Sequence, residues 1–103
     1  MIILPIKKKW FDIIKSGEKK EEYREIKPYY DKRLKKYMPI YNMYLERMIC
    51  EEFEVIFRNG YRKNSPIIYC ICKLRIGHGK PEWGAEPNKE YYILDILEVA
   101  NDK

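Results

Sequence analysis

The second half of the chain is written in twos, and this pattern limits the fold more than any other feature. Phe53, Val55 and Phe57 alternate with Glu52, Glu54, Ile56 and Arg58, the period of a strand. Ile67 to Ile76 repeats the pattern. It places Ile67, Tyr69, Ile71 and Lys73 on one face and Ile68, Cys70, Cys72 and Leu74 on the other. Tyr91 to Val99 reads as a last strand. Asn59-Gly60 is a turn signal, and Gly77-His78-Gly79 is expected to break the long strand. Residues 80–89 hold two prolines and a glycine and read as an ordered, irregular loop. Three strands in succession exclude the regular strand–helix alternation of a doubly wound sheet.

The first half follows other periods. Ile2, Ile3, Leu4 and Ile6 form a short apolar run that reads as a buried strand, with Pro5 near its end. Trp10, Phe11, Ile13 and Ile14 have helical spacing, so residues 8–16 read as a helix, with Gly17 as its C-cap. Residues 19–26 are charged but interleaved with Tyr23 and Ile26, and read as a returning strand. Pro28 suits the first turn of a second helix striped by Tyr29, Tyr30, Arg33, Leu34 and Tyr37, and Pro39 ends it. Tyr41, Tyr44, Leu45 and Met48 keep helical spacing, which predicts a third, short helix within 40–50. The sum is an α+β fold: a small, mostly antiparallel sheet or barrel with two to three helices, whose closure would protect the sheet edges.

A chain of 103 residues is expected to form one domain, 1–103, and 46% hydrophobic content suffices for a packed core. Cys50, Cys70 and Cys72 cannot pair completely and match no zinc spacing, so no metal and no disulfide framework are expected. The beginning, Met-Ile-Ile-Leu-Pro-Ile-Lys, lacks a signal-peptide layout, and no stretch approaches the roughly 20 apolar residues of a membrane span. A cytoplasmic protein with no membrane partner is the expectation.

The charge is unevenly placed. Residues 1–40 hold 12 Lys or Arg against 6 Asp or Glu, while residues 41–103 hold 9 against 10. A basic side concentrates anionic partners, of which nucleic acid is the commonest. A solvated, lysine-rich helix surface would look the same.

Within that basic part, residues 17–24 read Gly-Glu-Lys-Lys-Glu-Glu-Tyr-Arg, a G-x-K-x-x-E-x-R pattern placed after the Trp10-Phe11-Asp12 helix. With Leu4-Pro5-Ile6, Arg58-Asn59-Gly60-Tyr61 and Gly79-Lys80-Pro81-Glu82-Trp83-Gly84-Ala85, the sequence resembles the ASCH domain family, in a small bacterial and phage-type branch. Only residues 38–50 fall outside the resemblance. It implies a PUA-like β-barrel with a cleft lined by the motif, and recognition of RNA or a modified nucleotide. It also implies that some members are amidohydrolases of acetylated cytidine and others ribonucleases. The hydrolase type uses a lysine, a threonine and a glutamate. The lysine corresponds to Lys19, but the threonine position is occupied by Glu22.

The same residues can be read without the family. Glu22 and Arg24 lie two apart on a strand and share a face, where pairing would fix the arginine fork for phosphate or base-edge recognition. Lys19 sits just past the helix end. Desolvated in a cleft it could act as a general base, although a paired Glu22 would hold its proton. A surface charge ladder is the plainer alternative. Trp83 either stacks on a base or anchors its loop. Arg58, Asn59 and Tyr61 form either the far lip of the cleft or an ordinary hairpin turn. Lys9, with Lys7, Lys8 and Lys15, either touches phosphate or solvates a helix. His78, between two glycines, reads as part of a turn. No phosphate-binding loop, dinucleotide fingerprint or Ser/His/Asp pattern is present, and no cofactor is expected.

The expected function is therefore an RNA or modified-nucleotide binding module using Lys9, Lys19, Glu22, Arg24, Arg58, Asn59, Tyr61 and Trp83. The alternatives are a small hydrolase with Lys19 and Glu22 as its catalytic groups, or a protein-interaction adaptor acting through the tyrosine-rich segment 28–48.

Overall fold

A computed structural model describes residues 1–100. The chain runs through β1 (Ile2–Pro5), α1 (Lys8–Lys15), β2 (Glu21–Glu25) and α2 (Pro28–Leu34), then a 3-10 turn at Lys35–Tyr37. It continues through β3 (Ile40–Asn42), β4 (Arg47–Ile49), β5 (Phe53–Arg58) and β6 (Ile67–His78), a second 3-10 turn at Pro81–Trp83, and β7 (Glu90–Ala100). Five strands form one sheet in the order β1-β5-β6-β7-β2. Only β1–β5 is parallel; the other pairings are antiparallel. The sheet curls into a half-barrel with two helices. Its edges, β1 and β2, carry no ladder between them.

The alternation read from the sequence sets the two faces of this sheet. Leu4, Val55, Phe57, Ile68, Cys70, Cys72, Leu74, Tyr92, Leu94 and Ile96 point inward and pack against Phe11 and Ile14 of α1 and Leu34 of α2. Each helix thus covers its apolar stripe with the concave side of the sheet. Burial pushes the Cys70 thiol up to about 12, so it behaves as a small apolar side chain. On the outer face, Ala85, Tyr91 and Ile93 form a second cluster with Tyr23, under the loop that precedes β7.

Two expectations need correction. Residues 40–50 form no helix. Ile40 pairs with Ile49, Tyr41 with Met48 and Asn42 with Arg47, making a separate antiparallel hairpin. The Asn42 side-chain oxygen accepts the Leu45 N–H at 2.9 Å, and Glu46 has φ 54°, a left-handed turn residue that a helix would not contain. In addition, β6 does not stop at Ile76. Gly77 and His78 stay in register with Tyr91 and Glu90. A strand pairing on one side only tolerates glycine there, and the neighbouring β7 supplies the order.

The β3–β4 hairpin is conspicuously apolar on its surface. Tyr41, Met43, Leu45 and Met48 are exposed, and Tyr44 at its tip is 97% exposed. No helix among the described residues is long and apolar enough to cross a membrane.

Candidate functional site

The site grows out of the end of α1. Gly17, with φ 89°, turns the chain out of the helix, and the Lys19 N–H closes back on the Ile13 carbonyl at 2.9 Å. The Lys20 carbonyl then accepts the Ile96 N–H and starts the β2–β7 pairing. In that register Glu22 lies opposite Leu94 and Arg24 opposite Tyr92, two inward-facing core residues. The strand's alternation therefore drives two charged side chains toward the inside of the half-barrel, at its open seam. Inward charges at an edge also discourage pairing with a foreign strand.

Buried charges must find partners, and these do. Glu22 Oε2 accepts from Arg24 Nη2 at 2.8 Å, and Glu22 Oε1 lies 3.2 Å from Lys19 Nζ. Arg24 Nη2 also donates to the Pro5 carbonyl at 2.8 Å, and Nη1 to the Tyr30 hydroxyl at 3.2 Å. Pro5 closes β1, so this guanidinium straps one sheet edge to the other. Arg24 Nε is buried and has no hydrogen-bond partner.

Lys19 is more enclosed still, at 1% exposure. Its ammonium donates to the Trp83 carbonyl at 2.8 Å. The rings of Trp10 and Tyr23 each lie 4.8 Å from Nζ and that of Trp83 lies 5.9 Å away, an aromatic cage around the chain's own cation. Gly84 allows the loop to close on this cage. It has φ 102°, and a Cβ there would meet the Trp10 ring at 2.9 Å.

Desolvation pulls the Lys19 pKa below its ordinary 10.5, with Glu22 opposing the shift. The folded chain then binds this proton less tightly than the unfolded chain. Between the folded pKa and 10.5 the unfolded state carries more protons, so this residue's contribution to stability rises with pH. Urea unfolding of the wild type and Lys19→Met from pH 7 to 10 measures it. The wild type is expected to gain on the variant as pH rises, and parallel curves would disprove the shift. The comparison stops at 10 because the raised pKa of Tyr23, caused chiefly by burial, and that of Tyr92, raised to about 12 by its bond to Asp31, add an opposite slope beyond it.

A cleft of about 780 Å³ opens at the seam, lined by Pro5, Lys7, Trp10, Glu22, Arg24, Tyr30, Asn59 and Tyr61, among others. Asn59 is fixed there by donating its amide to the Ile6 carbonyl at 3.0 Å. Of the residues singled out in the sequence, Glu22, Arg24, Asn59 and Tyr61 line this cleft. Lys19 stands behind its wall, shielded by the cage. Trp83, Lys9 and Arg58 do not line it: Trp83 faces Lys19, and the Lys9 ammonium lies 4.6 Å from the Trp10 ring. Trp10 and Tyr30 join the cleft without having been assigned to it from sequence, and Lys7, one of the four lysines weighed as phosphate contacts, lines it as well. Tyr30 had a usable signal, being six residues from Arg24 across one turn into a helix.

Chemically, the seam offers a buried Lys–Glu–Arg chain with one excess positive charge, a guanidinium Nε–H without a partner, and a cleft lined by the rings of Trp10, Tyr23, Tyr30 and Tyr61. Among the described residues no group of three or more His, Cys, Asp or Glu could hold a metal ion. No protein-family model, curated protein or solved structure matches this chain.

Proposed function

We propose that this chain is a nucleic-acid binding module of the ASCH type, on a PUA-like half-barrel, whose seam cleft receives a nucleotide of RNA or a modified nucleotide. The observation that carries the reading is Arg24. It is held rigidly by Glu22, Pro5 and Tyr30, keeps a buried Nε without a partner, and lies in a cleft rimmed by Trp10, Tyr30 and Tyr61. A preorganised guanidinium suits phosphate or base-edge recognition, and rings that are already placed suit base stacking. The excess of Lys and Arg in residues 1–40 supplies the long-range attraction.

Fluorescence anisotropy with labelled single-stranded RNA at low salt tests this. Arg24→Ala is expected to weaken binding by tenfold or more, from about 1.5–3 kcal/mol for a charge-assisted bond. Tyr61→Ala, at an exposed rim position, guards against a folding artefact and is expected to lose about 1–3 kcal/mol of stacking. Unchanged affinity in both variants would end the reading.

The hydrolytic alternative draws on the lowered Lys19 pKa. Its weakness is access, since the ammonium lies behind Trp10, Tyr23 and Trp83. Turnover of acetylated cytidine that disappears in Lys19→Met would favour it. The adaptor alternative draws on the exposed β3–β4 hairpin.

A further inference from the structure

The cleft does not end at Tyr30. Arg24 donates to the Tyr30 hydroxyl, and its guanidinium carbon is 5.8 Å from the Tyr30 ring centroid. The Tyr29 ring meets Tyr30 edge-on at 5.0 Å. Arg33 follows, with its guanidinium carbon 3.6 Å from the Tyr29 centroid and Nη1 donating to the Tyr29 carbonyl at 2.8 Å. Arg24, Tyr30, Tyr29 and Arg33 thus form a continuous ladder of cations and rings, running from the buried seam to the exposed side of α2. Tyr29 is half exposed and Arg33 is exposed, so the outer rungs are open to solvent.

We propose that this ladder is a second subsite, over which single-stranded nucleic acid leaves the cleft, so that the partner is an oligonucleotide and not a free mononucleotide. The inference rests on the cleft binding a nucleotide. An i,i+4 Arg–Tyr pair alone would be ordinary helix decoration. Two further features assign the occupant here. The pair is continuous with the cleft, and the surrounding charge is one-sided. Lys32, Arg33, Lys35 and Lys36 stand on α2 and the turn after it against a single acid, Asp31, while Lys27 before the helix is paired with Glu25 at 3.2 Å. Asp31 accepts from the Tyr92 hydroxyl at 2.5 Å, which turns it toward the core. A guanidinium held over a ring at 3.6 Å by its bond to the Tyr29 carbonyl presents a planar cation beside an aromatic ring, which suits a base and its phosphate together. An acidic peptide would satisfy the charge but leave the planar surfaces unused.

The test compares two ligands on the full chain: uridine monophosphate, followed by shifts of Tyr and Trp resonances, and a labelled oligouridylate of eight nucleotides, followed by anisotropy. Tyr29→Ala and Arg33→Ala are expected to weaken the octanucleotide about five- to a hundredfold while leaving mononucleotide affinity unchanged. Arg33→Lys keeps the charge and loses the plane, and is expected to resemble Arg33→Ala. The inference is overturned if both Ala variants bind the octanucleotide like the wild type. It is also overturned if Arg33→Lys binds like the wild type, or if an acidic octapeptide competes for the surface with equal affinity. Failure of the cleft itself reads differently, as loss of any Arg24→Ala effect on either ligand.

Discussion

Glu22→Ala is expected to lower the unfolding free energy by about 3–5 kcal/mol, the usual result of removing one member of a buried ion network. The carboxylate lies between Lys19 Nζ at 3.2 Å and Arg24 Nη2 at 2.8 Å. Without it two cations face each other out of water. A domain of this size holds roughly 5–15 kcal/mol in total, so the variant approaches the point of unfolding. Urea denaturation read by tryptophan fluorescence measures the loss. Glu22→Gln preserves shape but not charge and should fall between the two. Adding Arg24→Met to Glu22→Ala should recover part of the loss, because one orphaned charge is then gone. A loss below about 1 kcal/mol would mean that water reaches the pair and that the seam is not sealed.

The second large effect is expected at Lys19. Lys19→Ala empties the cage, strands the Trp83 carbonyl and removes the packing of the aliphatic stem. The unmet acceptor contributes about 1–3 kcal/mol and the cavity adds to it, so a total near 3 kcal/mol is expected. For a domain of about 100 residues each kcal/mol corresponds to roughly 4–8 °C in Tm. Lys19→Met refills the space without the charge and should lose less. The two variants therefore separate packing from cation–π attraction. The readout is direct, because the chain's two tryptophans, Trp10 and Trp83, both flank this ammonium. Lys19→Met with unaltered emission and Tm equal to Lys19→Ala would refute the cage as a stabilising element. A cycle with Glu22→Gln should show coupling of about 0.5–3 kcal/mol, since the two residues touch.

Much of this fold was legible in the residues, for definite reasons. The helix at Lys8–Lys15 and the strands at Phe53–Arg58 and Glu90–Ala100 carry long or regular periods, which survive any tertiary context. The hairpin at 40–49 was not legible. Its strands are three residues long, too short to display a period of two, and its apolar residues happen to fall at helical spacing. What decided it was turn chemistry at Asn42 and Glu46, not hydrophobicity. At the site, Glu22 and Arg24 were legible because i and i+2 on a strand share a face whatever lies opposite. Trp10 and Lys7 reach the cleft only because the sheet curls, which no local pattern encodes. Trp83 was recognised as important by its place in an ordered loop, yet its contact with Lys19 is made through its backbone carbonyl as well as its ring. A backbone acceptor leaves no mark on residue identity.

One pairing described above governs when the site can exist. In the main sheet β2 has a single neighbour, β7, and Glu22 and Leu94 are on the order of seventy positions apart in the chain. Closing so long a loop is an entropic debt that must be met before Lys19 can reach Trp83 and before the local Glu22–Arg24 pair can be buried against β7. During synthesis, α1 can therefore coil early, but Glu22 and Arg24 remain hydrated on an unpaired segment until residues beyond Glu90 leave the ribosome. An unfinished chain would offer dispersed surface charge without a recess. The proposed nucleotide binding should then appear abruptly with the last strand, and nascent fragments ending before it should show none.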